Sequence, residues 1–353
     1  MNSKVKVLIV DDSALVRKIF TDIINNDPSL EVVGIAQNGI IANRKIEELK
    51  PDIITLDLEM PELDGFGVLE EMIKKNLQSK VLMVSGLTRQ GAQTTIKALE
   101  MGAVDFIEKP SGRTVDLKEI SDSLLNKLHE IAKIDSRKIT KRLLKKIPTE
   151  PIIKTNRTKD IPKVFIAIGI STGGPQALKE IFQDPAIPDD CAYLVVQHMP
   201  PEFTGPFSER LNQISKIHIK EAENNEPILI GSGYIAPGHS HLEIEFRQSK
   251  PYIKLSQTGK VSGHMPSADV LFNSIARSCA KDTIALIMTG MGRDGAEGIN
   301  KINNLGGQTI AQDKESSVVF GMNKEAIELG AIKKVVSLKD IPVTLNSLLT
   351  KIR

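Results

Sequence analysis

From residue 5 to residue 134, short apolar runs take turns with amphipathic stretches of helical spacing. The runs are VKVLIV, EVVGIA, DIITLD, KVLMVS and DFIEK; between and after them come ALVRKIFTDII, IIANRKIEELK, FGVLEEMIKK, AQTTIKALE and LKEISDSLLNKLHEIAKI. Five strands alternating with five helices leave few solutions. Each strand returns parallel to the last over a helical crossover, giving a parallel sheet with helices on both faces. Functional groups in such a sheet collect at the carboxyl ends of the strands. A second α/β rhythm starts at residue 163 with VFIAIG and AYLVVQH and passes through a β-rich middle, GYIAPG, HLEIEF and YIKLS. It resumes as helix SADVLFNSIARSC, strand DTIALIMTG, helix GAEGINKIN, strand QTIAQD and a closing helix near 341–352. The expected fold class is α/β in two domains. The first is a doubly wound (βα)5 parallel sheet, and the second a doubly wound α/β domain with an antiparallel hairpin insertion.

Between them, residues 135–160 carry nine Lys or Arg against three Asp or Glu, with Pro148 and Pro151 inside. We assign residues 1–125 to the first domain, 126–162 to a basic linker and 163–353 to the second domain. No aromatic residue interleaves the basic run for base stacking, so it reads as a solvated hinge and not as a nucleic-acid arm. Hydrophobic residues at 41% and charged residues at 25% are those of a soluble globular chain. The start, MNSKVKVLIVDD, is neither a signal peptide nor a span of the roughly 20 apolar residues a bilayer needs. A cytosolic protein without direct membrane insertion is expected. Cys191 and Cys279 lie far apart without metal-ligand spacing and are expected to be buried thiols.

Ser171 nominates the chemistry of the second domain. Gly169-Ile170-Ser171-Thr172-Gly173 has the G-x-S-x-G form of a nucleophile elbow, a sharp turn from strand to helix that lifts a hydroxyl clear of the sheet. A serine needs a histidine to take its proton and a third group to orient that histidine. His198 ends the next strand, AYLVVQH, and is the expected general base. His129, His218, His239, His241 and His264 lie in helices, loops or the β-rich segment, and His239 with His241 lacks a nearby third ligand for a metal. Asp294, after strand DTIALIMTG, is the chosen orienting acid, with Asp269 and Asp313 as rivals. The order Ser, His, Asp departs from that of α/β hydrolases. Gly290-Met291-Gly292-Arg293-Asp294-Gly295 is also a formal dinucleotide fingerprint, so an NAD-binding oxidoreductase controlled by the first domain is the alternative. Against it, Asp294 would aim a negative charge at the pyrophosphate. No Lys-Ser or Lys-Thr makes residues 169–174 a P-loop, and no helix-turn-helix marks a DNA-binding effector.

In the first domain, Asp11 and Asp12 end the first strand and Asp57 ends the third. Three carboxylates on one edge repel unless a divalent cation bridges them, and this oxygen donor set suits Mg²⁺. Ser85 and Lys109, at the ends of the fourth and fifth strands, offer a hydroxyl and a point charge to a phosphoryl group. Pro110 follows Lys109 in the pattern of a tight turn in which a cis bond is considered.

VDDS, LDLEMPELDG, SG and EKP, each at a strand end and in this order, resemble a response-regulator receiver domain. That resemblance implies phosphorylation of Asp57 by a chemotaxis histidine kinase. It also implies Mg²⁺ ligation by Asp11, Asp12, Asp57 and the backbone of Glu59, and phosphoryl contacts from Ser85 and Lys109. GISTGGPQAL, QHMPPEFT, APGHSHLEI, PSADVLF, MTGMGRDGAEG and QDKESSVVFGMNKEAIELGAI resemble the catalytic domain of the chemotaxis protein-glutamate methylesterases, the CheB family. This implies a Ser171, His198, Asp294 triad, an oxyanion hole from the backbone around Thr172 and Met291, and no cofactor for the esterase reaction. Methylated chemoreceptor cytoplasmic domains are the implied substrate, glutamine deamidation an implied second activity, and nucleic acid no partner. Two positions depart from the family pattern: Met265 replaces an arginine after His264, and Ile170 replaces the small residue before the serine.

Overall fold

The apolar runs of the first half form strands β1 (Val5–Val10), β2 (Leu30–Ala36), β3 (Ile53–Asp57), β4 (Lys80–Ser85) and β5 (Asp105–Glu108). The structure is a computed structural model that describes residues 4–86, 88–110, 117–134, 154 and 160–352. Its chain divides into two compact units, residues 1–148 and 149–353. In the first unit the strands lie in the order β2-β1-β3-β4-β5 and every pairing is parallel. The order reverses between β1 and β3, so a crevice opens at their carboxyl ends, where Asp11 and Asp57 stand. β3 and β4 are buried throughout, which explains why they read as unbroken apolar runs and not as alternating ones.

Helices α1 (Ala14–Asn25), α2 (Gly39–Leu49), α3 (Gly65–Lys74), α4 (Arg89–Glu100) and α5 (Leu117–Ala132) cross between and after these strands. The first four start on side-chain caps: Ser13, Asn38, Asp64 and Thr88 each accept a backbone N–H one turn on. The linker start drawn at residue 126 falls inside α5. Leu124, Leu128 and Ile131 recur at helical spacing and are buried, and the Lys80 ammonium donates to Ala132 O at 2.8 Å. Residues 126–134 therefore belong to the first unit, and linker residues 135–153 and 155–159 lie outside the described residues. Among the described residues the cis peptide bond is Met265–Pro266, so the bond considered at Pro110 is trans.

The second unit is a seven-stranded sheet in the order β14-β13-β12-β6-β7-β9-β8, parallel throughout. Its strands are β6 (Phe165–Ile170), β7 (Ala192–Gln197), β8 (His218–Glu221), β9 (Ser232–Ile235), β12 (Thr283–Ile287), β13 (Gln308–Gln312) and β14 (Lys334–Val336). The antiparallel insertion is the hairpin β10 (His241–Arg247) and β11 (Lys250–Ser256) alone. GYIAPG instead supplies β9 to the main sheet. Helices α6 (Gly174–Phe182), α7 (Pro201–Ile214), α8 (Ala268–Ser278), α9 (Ala296–Asn304), α10 (Met322–Glu328) and α11 (Ile341–Ile352) cover it. The sequence pattern named no helix between AYLVVQH and GYIAPG, where α7 lies with Pro206 inside it. Pro201 opens the helix, where its preset φ fits and no donor is lost. Among the described residues no helix is long and apolar enough to cross a membrane.

Leu128→Ala is expected to destabilise the first unit by about 2–5 kcal/mol, the cost of a buried cavity. Hydrogen-exchange mass spectrometry checks this: amides of β3, β4 and β5 should exchange faster, and unchanged protection would place Leu128 outside that core.

Candidate active site and phosphoacceptor pocket

Ser171 directly follows β6, and its N–H donates to Thr289 O at 3.0 Å. The chain then turns through Thr172 and Gly173 into α6. Gly173 has φ +77°, and a Cβ there would lie 2.6 Å from Val318 Cβ, so both conformation and space require glycine. β7 lies against β6 with Gln197 opposite Ile170, and His198 N–H donates to Ile170 O at 3.1 Å. Parallel pairing thus brings His198 to the strand end beside Ser171. On the other side of β6, β12 pairs Ile287 with Gly169, and the loop after it delivers Asp294 to the same edge. The sheet changes winding direction at β6 and β12, so these three residues surround its switch point.

His198 Nε2 and Asp294 Oδ2 are 2.8 Å apart. With Nε2–H donating to the carboxylate, Nδ1 carries the lone pair, and this nitrogen is buried with no hydrogen-bond partner. It does not bond the Ser171 hydroxyl in this state, in keeping with catalytic contacts that tighten only on substrate.

The Asp294 carboxylate is 1% exposed. It accepts from Ser267 Oγ (2.6 Å), Ala268 N (2.7 Å) and Asp269 N (3.2 Å), which places it on the amino end of α8. Burial, the largest influence, acts to raise its pKa. The His198 bond and charge, with Ser267 and Ala268, outweigh it and hold the carboxyl below its ordinary range. Of the rivals, Asp269 accepts from Gly298 N at 2.7 Å and so ties α9 in return, while Asp313 accepts from Ser316 N at 2.8 Å. Burial raises the Asp269 pKa.

Three neighbours escaped the sequence reading. His241 is fully buried, with Nε2 against Gly259 O (2.7 Å) and Nδ1 accepting from Ser267 N (3.1 Å). It is a structural tie behind Asp294, and its partner His239 is exposed. Ser267 is the second. The third, His264, stacks on His198 with centroids 3.9 Å apart and planes 8° from parallel. His198, His264 and Asp294 offer donor atoms within 4.8 Å of one another. Parallel rings send their in-plane lone pairs side by side and not toward one ion, so this arrangement favours stacking over metal ligation. No signal at the level of spacing marks these three, because each acts through a fold contact.

In the loop carrying Asp294, a Cβ on Gly290 would lie 2.4 Å from Met322 Sδ and 2.8 Å from Ser171 Cβ. Close approach to the serine turn accounts for that glycine. The Asp294 carboxylate, bonded to His198 and to α8, leaves the loop without the open cradle a dinucleotide requires.

In the first unit, Asp11, Asp12 and Asp57 also have carboxylate oxygens within 4.8 Å of one another. Lys109 Nζ stands among them, 3.2 Å from Asp11 Oδ1, 3.2 Å from Asp12 Oδ1 and 2.6 Å from Asp57 Oδ2. The expected repulsion is therefore met in part by a lysine. Burial pushes the Asp57 pKa up to about 6, with Lys109 opposing and the charge of Asp11 adding. Burial likewise raises Asp11. Asp11 Oδ2 is buried without a hydrogen-bond partner. That orphaned oxygen, in an all-carboxylate donor set, fits a hard cation. Glu59 N–H donates to Asp57 Oδ1 at 3.2 Å. Ser85 is buried and accepts from Thr95 Oγ1 at 2.7 Å.

The CheB methylesterase family model matches residues 166–345, and the response regulator receiver domain model matches residues 7–121. A protein-glutamate methylesterase/protein-glutamine glutaminase of Pyrococcus horikoshii is 45% identical over 348 residues, covering 98% of this chain and 93% of its own. One from Nitrosomonas europaea is 42% identical over 348 residues, covering 96% and 94%. The crystal structure of the Thermotoga maritima CheB methylesterase catalytic domain matches with TM-score 0.51 and 40% identity, covering 52% of this chain and 98% of that one. These matches support a hydrolase, and none supports the oxidoreductase alternative.

Asp294→Ala leaves three donors and a histidine without their acceptor, and is expected to destabilise the second unit by about 3 kcal/mol near pH 6. Because the folded carboxyl has a lowered pKa, its contribution is full above the unfolded value near 4 and fades as pH falls through the folded one. Urea unfolding of both proteins from pH 7 to pH 3 should show the gap closing on acidification; a constant gap would contradict it.

Proposed function

We propose that this chain, which belongs to the CheB methylesterase family, hydrolyses γ-methyl esters of glutamate side chains on chemoreceptor cytoplasmic domains. The carrying observation is the 2.8 Å contact of His198 Nε2 with Asp294, which reserves Nδ1, at the strand end beside Ser171, for proton transfer. Ser171 Oγ attacks the γ-carbonyl carbon while Nδ1 takes its proton. The tetrahedral oxyanion faces backbone N–H groups around Thr172 and Met291. His198 then protonates the methoxide oxygen and methanol leaves. Water, deprotonated by the same nitrogen, attacks the acyl-enzyme, and collapse releases glutamate and restores the Ser171 hydroxyl. Asp294 keeps the ring in one tautomer and stabilises it when charged. Glutamine side chains pass through the same intermediate with ammonia as leaving group, in line with the second activity in the relatives' names.

The receiver governs access to this site. Asp57 accepts a phosphoryl group from a chemotaxis histidine kinase. Asp11, Asp12, Asp57 and the backbone of Glu59 hold Mg²⁺, which when bound offsets their charge and that of the phosphoryl group. Lys109 neutralises a phosphoryl oxygen, and the Ser85 hydroxyl turns from Thr95 to contact another. Phosphorylation shifts the population toward the accessible esterase through the basic linker. The esterase reaction takes no cofactor. The protein works in the cytosol, acting on receptor domains without entering the membrane.

Methanol release from methylated receptor membranes, with and without a small phosphodonor, tests both parts. Ser171→Ala should lose at least about a thousandfold in rate, whereas Asp57→Asn should keep basal release and lose the stimulation. Undiminished release from Ser171→Ala, or full stimulation of Asp57→Asn, would defeat the respective assignment.

A further inference from the structure

Two buried polar side chains beneath the serine turn have no place in the mechanism above. Thr289 is fully buried and Gln197 is 2% exposed. Thr289 Oγ1 has two carbonyls within reach, Thr172 O at 2.9 Å and Val319 O at 3.2 Å, and its one proton goes to the nearer; it accepts Val319 N–H at 3.0 Å, while Gln312 Oε1 accepts Thr289 N–H at 2.9 Å. Gln197 Nε2 donates to both Ser171 O and His198 O at 3.1 Å. Ser171 O also accepts Gly174 N–H at 2.8 Å. The Gln197 amide orientation follows from its partners, since both are carbonyls. Its Oε1 is buried without a partner and lies where only a glycine at 174 leaves room: a Cβ there would come within 1.9 Å. A buried polar group left unsatisfied costs stability, so the other end of that amide must be worth holding.

A trans peptide is planar, with its C=O and N–H on opposite sides. Tying the Ser171 and Thr172 carbonyls inward therefore turns the N–H groups of Thr172 and Gly173 away from the buried frame. The third peptide at this edge follows the same rule. Gly290 O accepts Gly321 N–H (3.1 Å) and Met322 N–H (3.0 Å), which turns the Met291 N–H the opposite way. Among the described residues neither the Gly173 nor the Met291 N–H has a hydrogen-bond partner. The Ser171 N–H, by contrast, is spent on Thr289 O, so it is not available to an oxyanion.

We infer that Thr289 and Gln197 are positioning residues that set the peptide planes of the serine turn, so that the N–H of Gly173, with that of Met291, faces the developing oxyanion. Gln197 also links the carbonyls of Ser171 and His198, and so fixes the spacing of nucleophile and base. This inference rests on the esterase reading. Removing one oxyanion donor outright costs about a hundredfold to a thousandfold in kcat, and a tilted donor costs part of that.

The test measures kcat and KM for methanol release by the full-length protein with phosphodonor, for wild type, Thr289→Val, Thr289→Ser, Gln197→Met and Ser171→Ala. Inhibition by a small alkylboronic acid, which forms a tetrahedral anion on a serine, is measured in parallel. Thr289→Val should lose about 10- to 100-fold in kcat with KM within about twofold, and weaken boronate inhibition by a similar factor. Thr289→Ser, which keeps the hydroxyl, should stay within about threefold of wild type. Gln197→Met should lose kcat in the same way, and it decides the matter if Thr289→Val shows no native melting transition. Wild-type kcat in the folded Val and Met variants overturns the inference, as does a loss that appears in KM alone. Activity retained by Ser171→Ala overturns the esterase assignment instead, whatever the other variants do.

Discussion

The Asp294 carboxylate is where the second unit's packing and its proposed chemistry meet. A buried charge in the loop after β12 would be costly alone. Ser267 Oγ, Ala268 N and Asp269 N, together with His198 Nε2, supply four hydrogen bonds to it. Three of the four come from the start of α8, and Asp269 at that start returns a bond to Gly298 in α9. Two helices therefore cap one another through two buried acids. His241 fixes Ser267 from behind, and the hairpin strand that carries it becomes part of the frame. The acid bonded to His198 is thus held by the tertiary fold and not by its own loop.

The first unit solves a similar problem with a different balance. Asp11, Asp12 and Asp57 crowd one crevice, and the Lys109 ammonium sits among them. That contact does not remove the strain, since Asp57 is still pushed up to about 6, chiefly by burial. A carboxylate so placed gains from any added positive charge, which is the condition under which a divalent cation binds. The same lysine can serve the carboxylates or a phosphoryl group, and its long stem lets it do either.

Much of the architecture was legible because both units are parallel sheets. Their central strands are buried on both faces, so VLIV, IITL, VFIAIG and IALIM stand out as apolar blocks, and each crossover helix shows its own buried stripe. The edges were less legible. β8 and β14 are short and only partly buried, and α7, with Pro206 inside it, was not named from the sequence. The position of His198 could be read because parallel pairing aligns strand ends, and Ser171 and Asp294 because glycine-rich turns follow strands. His264, Ser267 and His241 could not be read this way. Each is defined by a partner remote in sequence, such as Ser267 with Asp294, 27 residues on.

The sequence alone determined the two α/β units, the strand ends at which reactive side chains gather, and the glycines that permit the serine turn. Those properties follow from local pattern: hydrophobic period, strand length and turn chemistry act over a few residues. The tertiary structure alone decided which nitrogen of His198 meets Asp294, that Lys109 stands among three carboxylates, and that Thr289 and Gln197 hold carbonyls of the serine turn inward. Hydrogen-bond direction depends on angstrom-scale placement of groups from separate strands and helices, and no spacing along one chain encodes it.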